Sequence, residues 1–127
     1  MGIEIDLMRG YPKTKRDPFA RLQSKTEEHK QVARRFGMEF FDASRDTGYG
    51  GFYYNPRFWT PVIPDFIQHF GIENNDKILD IGCAKGFMLY DFLKKNETLK
   101  VRGIDISKYA IDNGHTSVKE NLQVGDC

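Results

Sequence analysis

A glycine-rich turn between an apolar segment and a helical segment constrains the fold more than any other feature of the sequence. Residues 77–86 are KILDIGCAKG, in which isoleucine and leucine are interrupted only by Asp80. Such a run predicts a strand buried on both faces of a parallel sheet. Gly82 and Gly86 allow a sharp backbone turn and the close approach of a ligand, and residues 87–93 continue as a helix. We therefore predict a strand, turn and helix with a ligand crevice at the carboxyl end of the strand.

Asp80, two positions before the first glycine, distinguishes between the ligands that could occupy this crevice. A helix N-terminus favours a negative group such as a carboxylate or phosphate. A dinucleotide site has the spacing G-x-G-x-x-G, whereas this sequence has D-x-G-x-x-x-G. The carboxylate would repel a pyrophosphate and suits a ligand with a cationic portion. S-adenosylmethionine (SAM) carries an ammonium, a sulfonium, a carboxylate and an adenosine.

With this motif the sequence resembles the class I SAM-dependent methyltransferases, whose first motif is a strand followed by acid, x, Gly, x, Gly, x, Gly. The resemblance covers about residues 77–127, and Ala84 stands where the family most often has its middle glycine. It implies an α/β fold, a Rossmann-like parallel sheet with flanking helices. It also implies an enzyme that transfers a methyl group from SAM to an unidentified, small-molecule acceptor. The sequence has signals for three strands at most, so we expect a fold that is truncated after the third strand. A chain truncated in this way need not be active on its own.

Two other interpretations remain open. One is an NAD(P)-dependent oxidoreductase, because an acid after the second strand would bind ribose there too. The other is a non-catalytic nucleotide-binding or interaction fragment, which would bind a partner through an exposed sheet edge.

Acidic residues follow the next two predicted strands. Asp105 ends the second strand, next to the glycine-rich turn, where a carboxylate can accept both hydroxyls of a ribose. The resemblance implies that Ile106 packs against the adenine, that Asp126 after the third strand accepts a hydrogen bond from the adenine amino group, and that the Cys127 N–H reaches a ring nitrogen. The predicted cofactor-binding residues are Asp80, Gly82, Cys83, Gly86, Asp105, Ile106, Asp126, Cys127 and Tyr49.

The aromatic loop, residues 40–59, combines three glycines with many aromatic side chains. Loops of this kind often cover ligands. It resembles the segment that many small-molecule methyltransferases place before their first strand. We predict that Tyr53 and Tyr54 contact the acceptor and that Arg57 pairs with a carboxylate. An aromatic mini-core that packs N-terminal helices onto the sheet is the alternative. No residue is nominated as catalytic base.

Three regions are predicted along the chain: an N-terminal arm (1–24), a helical and aromatic lead-in that covers the cofactor site (25–71), and the first half of the SAM-binding Rossmann-like domain (72–127). A capping box beginning at Ser24 predicts a helix to Phe36. Thr60 and Pro61 predict the start of another helix, which Gly71 ends.

Composition excludes several classes of protein. The chain has 19 Lys and Arg against 18 Asp and Glu, a net charge of +1, and the two signs are interspersed, so neither nucleic acid nor a membrane is expected as partner. Two cysteines without C-x-x-C spacing predict no metal site. We expect a soluble, cytoplasmic protein with a small-molecule substrate, and self-association through an exposed sheet edge if the fold is truncated.

Overall fold

Three parallel strands in the order β1-β2-β3 organise the structure, a computed structural model that describes residues 2–13, 26–43, 45, 48–49 and 51–126. The strands are β1 (Lys77–Ile81), β2 (Lys100–Asp105) and β3 (Leu122–Val124). Ile78 pairs with Val101, and Gly103 pairs with Leu122. The predicted Rossmann-like parallel sheet with flanking helices is confirmed.

The helical elements among the described residues precede β1 or lie in the crossovers of the sheet. They are α1 (Glu27–Ala33), a π-helix (Glu39–Ala43), α2 (Pro56–Trp59), α3 (Ile63–Phe70), α4 (Phe87–Lys95), α5 (Lys108–Asp112) and a 3₁₀ helix (Lys119–Asn121). Each crossover of the sheet thus contains one α-helix, α4 between β1 and β2 and α5 between β2 and β3. None of the helices in the described part of the chain is long and apolar enough to cross a membrane.

Two predicted helix boundaries are wrong. The first helix ends at Ala33 instead of Phe36, which has a positive φ of 49°. Its cap is Thr26, whose side chain accepts from the His29 N–H while the His29 ring accepts from the Thr26 N–H; the predicted cap Ser24 lies outside the described residues. Helix α3 begins at Ile63 rather than at Thr60, because Thr60 is the C-cap of α2 and its hydroxyl donates to the Asp91 side chain of α4.

The core lies on one face of the sheet. Crossovers between parallel strands are right-handed as a rule, and both run in the same direction along the sheet, so α4 and α5 lie on the same side. The buried cluster is made of Ile63, Cys83, Leu89, Phe92, Leu99, Val101, Ile111, Val118 and Leu122. On the other face, Leu79 is 56% exposed and Ile81 62% exposed. The expectation that β1 is buried on both faces is therefore wrong for the described residues.

Candidate functional site

The glycine-rich turn has a left-handed backbone at three positions. Gly82, Ala84 and Gly86 have φ of 81°, 50° and 78°. The N–H groups of residues 82 and 83 donate to the Ile104 carbonyl at 2.8 and 3.1 Å, so the turn is fastened to the end of β2. Ala84 stands where glycine is usual. Its left-handed conformation costs a residue with a Cβ roughly 1–2 kcal/mol.

The two flanking glycines serve different purposes. A Cβ on Gly82 would meet no atom within 4 Å, so the backbone there is open to a ligand. A Cβ on Gly86 would come within 2.8 Å of Val118 and 3.1 Å of Leu122. Gly86 is therefore required for packing of the turn against the core, and Gly82 is the glycine that leaves room for a bound group.

The predicted acids lie together at the carboxyl edge of the sheet. Asp80 is next to last in β1, Asp105 is last in β2, and Asp126 follows β3 by two residues. The Gly125 N–H donates to the Asp105 carbonyl at 3.0 Å, which holds the end of β3 beside β2. The side chain of Asp126 is exposed. The structure thus brings the three acidic residues to the same edge of the sheet, as a shared ligand would require.

Asp105 connects the turn to the start of α5. Its Oδ2 accepts from the Ala84 N–H and its Oδ1 from the Ser107 N–H, both at 2.8 Å. Each oxygen of a carboxylate has two lone-pair sites. One site on each oxygen is therefore left for a further donor, and the two remaining sites match the two hydroxyls of a ribose.

Asp80 is the acid whose surroundings most favour a cation. Burial raises the pKa of Asp80 to about 6, and the negative charge of Asp105 adds to the effect. It lines a cleft of about 430 Å³ whose other walls are mostly apolar, among them Met88 and Trp59. A positively charged group in this cleft would stabilise the ionised form of Asp80.

The N-terminus of α4 provides the complementary site for an anion. No side chain among the described residues caps this nine-residue helix at Gly86. Its first N–H groups and the positive end of its dipole favour a negative group. A site for a cation, a site for a carboxylate, a ribose acceptor and an open backbone at Gly82 are the features that SAM needs, so the residues present fit this cofactor.

Of the other predicted cofactor contacts, Ile106 is 57% exposed directly after β2, where an adenine could cover it. Cys83 belongs to the core cluster, and a Cβ on Gly103 would lie 2.6 Å from its sulfur. Burial raises the pKa of the Cys83 thiol to about 12, with further contributions from Asp80 and Asp105. The structure gives Cys83 a packing role, and a cofactor contact by it stays a prediction. Cys127 lies outside the described residues.

A nearly buried ion pair fastens the lead-in to the glycine-rich turn. Lys85 Nζ lies 2.8 Å from Asp42 Oδ2 and also donates to the Phe52 carbonyl at 2.8 Å. Asp42 accepts in addition from the Tyr109 hydroxyl and from the Phe52 N–H. Sequence reasoning missed this pair; the available signal was a lysine inside a turn that is otherwise small and apolar. The pair ties the lead-in, the turn and α5 together beside the cofactor site.

An aromatic pocket of about 290 Å³ lies next to this pair. Its walls are Tyr11, Arg45, Tyr49, Gly51, Phe52, Tyr53, Asn55, Phe58, Trp59 and Phe87. Phe52 stacks on Phe87, the residue directly after the turn, with ring centroids 5.0 Å apart. Trp59 lines both this pocket and the cleft that contains Asp80. The pocket is therefore adjacent to both the turn and the cation site.

The predicted acceptor residues divide into two groups. Tyr53, like Tyr49, lines the aromatic pocket. The Tyr54 hydroxyl instead donates to the buried Asp91 at 2.6 Å and accepts from Lys94 at 2.6 Å, so it secures the loop to α4. Arg57 is exposed and lies over the Phe58 ring, outside the pocket walls. The structure thus places Tyr49 and Tyr53 in the walls of the aromatic pocket, and it places Tyr54 and Arg57 outside them.

Fold and site together define an α/β domain with a glycine-rich turn and acidic residues at the carboxyl edge of a parallel sheet. Residues 72–124 match the family model described as "Methyltransferase domain". The match supports a class I SAM-dependent methyltransferase domain over this part of the chain, as the resemblance predicted. The match includes the turn and all of β1, α4, β2, α5 and β3.

Proposed function

We propose that the chain binds SAM at the carboxyl edge of β1–β3 and transfers its methyl group to a small-molecule acceptor in the aromatic pocket. The observation that carries the proposal is Asp105, whose carboxylate joins the turn to α5 and keeps one free acceptor site on each oxygen. The size of the pocket supports a small acceptor, since drug-sized ligands occupy pockets of roughly 300–1,000 Å³.

The chain's own residues would bind and orient the reactants. Asp80 would pair with a cationic group of the cofactor, the N-terminus of α4 with its carboxylate, and Asp105 with its ribose. SAM supplies the methyl group on a sulfonium that leaves readily. The aromatic loop would exclude water and hold the acceptor in line, and the rate enhancement would come mainly from proximity and orientation.

Calorimetric titration with SAM tests the cofactor half of the proposal. We expect Asp105→Asn to weaken SAM binding by about 1–3 kcal/mol, because one of the two carboxylate acceptors for the ribose is replaced by an amide donor. Asp112→Asn is the matched control: this acid is exposed at the end of α5, where it pairs with Lys108. Circular dichroism establishes that both variants are folded. Equal affinities for SAM in the two folded variants would show that the ribose does not bind at Asp105.

A further inference from the structure

The chemistry of the aromatic pocket indicates what kind of acceptor it takes. Seven of the ten described residues in its walls carry aromatic rings, contributed by residues 11, 49, 52, 53, 58, 59 and 87. Rings in offset or edge-to-face contact, such as Tyr49 and Phe52 at 4.7 Å, present flat apolar surfaces to an occupant. A planar, apolar ligand would make the largest contact with such walls.

The charge on the walls comes from Arg45. It is the one charged residue among the described residues that line the pocket, and none of the described residues pairs with its guanidinium. Asn55 adds a polar side chain, but its oxygen accepts from the Arg57 N–H at the start of α2. Among the described residues, the pocket therefore combines aromatic walls with a single cation that pairs with none of them. A guanidinium binds a carboxylate through two parallel hydrogen bonds.

Size restricts the occupant further. The volume of about 290 Å³ accommodates one ring system with a short side chain and excludes a folded macromolecule. A phosphate would bring more than one negative charge at neutral pH, whereas the described residues of the pocket walls offer one cationic partner, Arg45.

We propose that the aromatic pocket is selective for aromatic carboxylates, with Arg45 binding the carboxylate and the ring stacked against the pocket walls. The proposal rests on the proposed function, because it assigns the methyl acceptor to this class. It differs from the expectation drawn from the sequence, in which Arg57 binds the carboxylate. Methyl transfer to a hydroxyl of such an acid would form an O–CH₃ bond, break the S–CH₃ bond and release the hydroxyl proton to solvent.

Trp59 provides a direct readout of occupancy. It is the only tryptophan in the sequence, and it forms part of the pocket wall. Its fluorescence is recorded during titration with 3-(4-hydroxyphenyl)propionate and, separately, with the corresponding uncharged amide. We expect the acid to bind about tenfold more tightly than the amide, because only the acid forms charge-assisted hydrogen bonds.

Three arginine variants locate the source of this preference. Arg45→Gln should bind acid and amide with equal affinity. Arg35→Gln is the matched control, an exposed arginine of the lead-in outside the pocket, and should keep the preference of the parent chain. The proposal would be overturned if Arg57→Gln lost the preference for the acid while Arg45→Gln kept it. Equal affinity of the parent chain for the acid and the amide would also overturn it.

A SAM titration on the same preparations separates this proposal from the one on which it rests. If the chain bound SAM but did not prefer the acid over the amide, the carboxylate selectivity of the aromatic pocket would be refuted and the proposed methyltransferase function would stand. If the chain preferred the acid over the amide through Arg45 but did not bind SAM, the assignments of the methyl acceptor and of the cofactor site would be refuted. Only the carboxylate selectivity of the aromatic pocket would remain.

Discussion

Replacing Lys85 with methionine tests how the lead-in is held to the cofactor site. The Lys85 side chain is 6% exposed and that of Asp42 is 13% exposed. Methionine keeps the length of the side chain and removes its charge. Breaking a buried pair by removing one partner typically costs about 3–5 kcal/mol, because the other charge stays buried. Asp42 keeps the donors Tyr109 and Phe52, so we expect the lower end, about 3 kcal/mol.

The measurement is urea unfolding followed by far-UV circular dichroism. Lys108→Met is the matched control, because Lys108 forms an ion pair with side chains 78% and 53% exposed and should change the free energy of unfolding by less than about 1 kcal/mol. Lys85→Met combined with Asp42→Asn should cost clearly less than the sum of the single changes. Equal effects of Lys85→Met and Lys108→Met would refute the view that the buried pair secures the lead-in.

Acid unfolding provides a second check on the same pair. Burial raises the pKa of Asp42, but hydrogen bonds from Lys85, Tyr109 and Phe52 outweigh it, and the pKa is lowered overall. A carboxyl whose folded pKa is depressed stabilises the protein above its unfolded pKa, about 3.9, and this stability is lost as the pH falls through the folded value. Lys85→Met should therefore lose less stability than the parent chain on acidification below about pH 4.

Three further predictions follow from the turn and the sheet. The pKa of Asp80 is about 6, so the ionised fraction of Asp80 decreases below pH 6. A cation binds the ionised form in preference to the protonated form. SAM affinity by calorimetry should fall up to about tenfold between pH 6 and 5, and Asp80→Asn should abolish this dependence. Ala84→Gly should raise the free energy of unfolding in urea by about 0.5–1 kcal/mol, because it relieves a positive φ; a loss of stability would contradict the strain. The exposed Leu79 and Ile81 predict a molar mass that rises with concentration in light scattering, and Ile81→Thr should reduce that rise.

Features encoded in short stretches of sequence could be predicted. Apolar runs and glycines within ten residues of each other predict the strand and turn around Asp80. They also predict the strand that ends at Asp105. The Asp42–Lys85 pair joins residues 43 positions apart and the Tyr54–Asp91 hydrogen bond residues 37 apart. A local pattern can draw attention to Lys85, but it does not reveal the partner residues, because these contacts depend on how the lead-in folds back over the turn.

The wrong expectation that β1 is buried on both faces has the same origin. An apolar strand is compatible with helices on both faces, and only the direction of the crossovers shows that the described helices cover one face. Similarly, Arg57 and Arg45 are equivalent in sequence as basic residues of an aromatic loop. The fold places Arg45 in the pocket wall and turns Arg57 outward on α2.

The central claim is that three acids and an open turn bind an adenosine that carries a cationic sulfur. Its most direct test is calorimetric titration of the chain with SAM and, separately, with NAD. The account predicts saturable binding of SAM to one site and no comparable binding of NAD. Tight binding of NAD with no binding of SAM would contradict it.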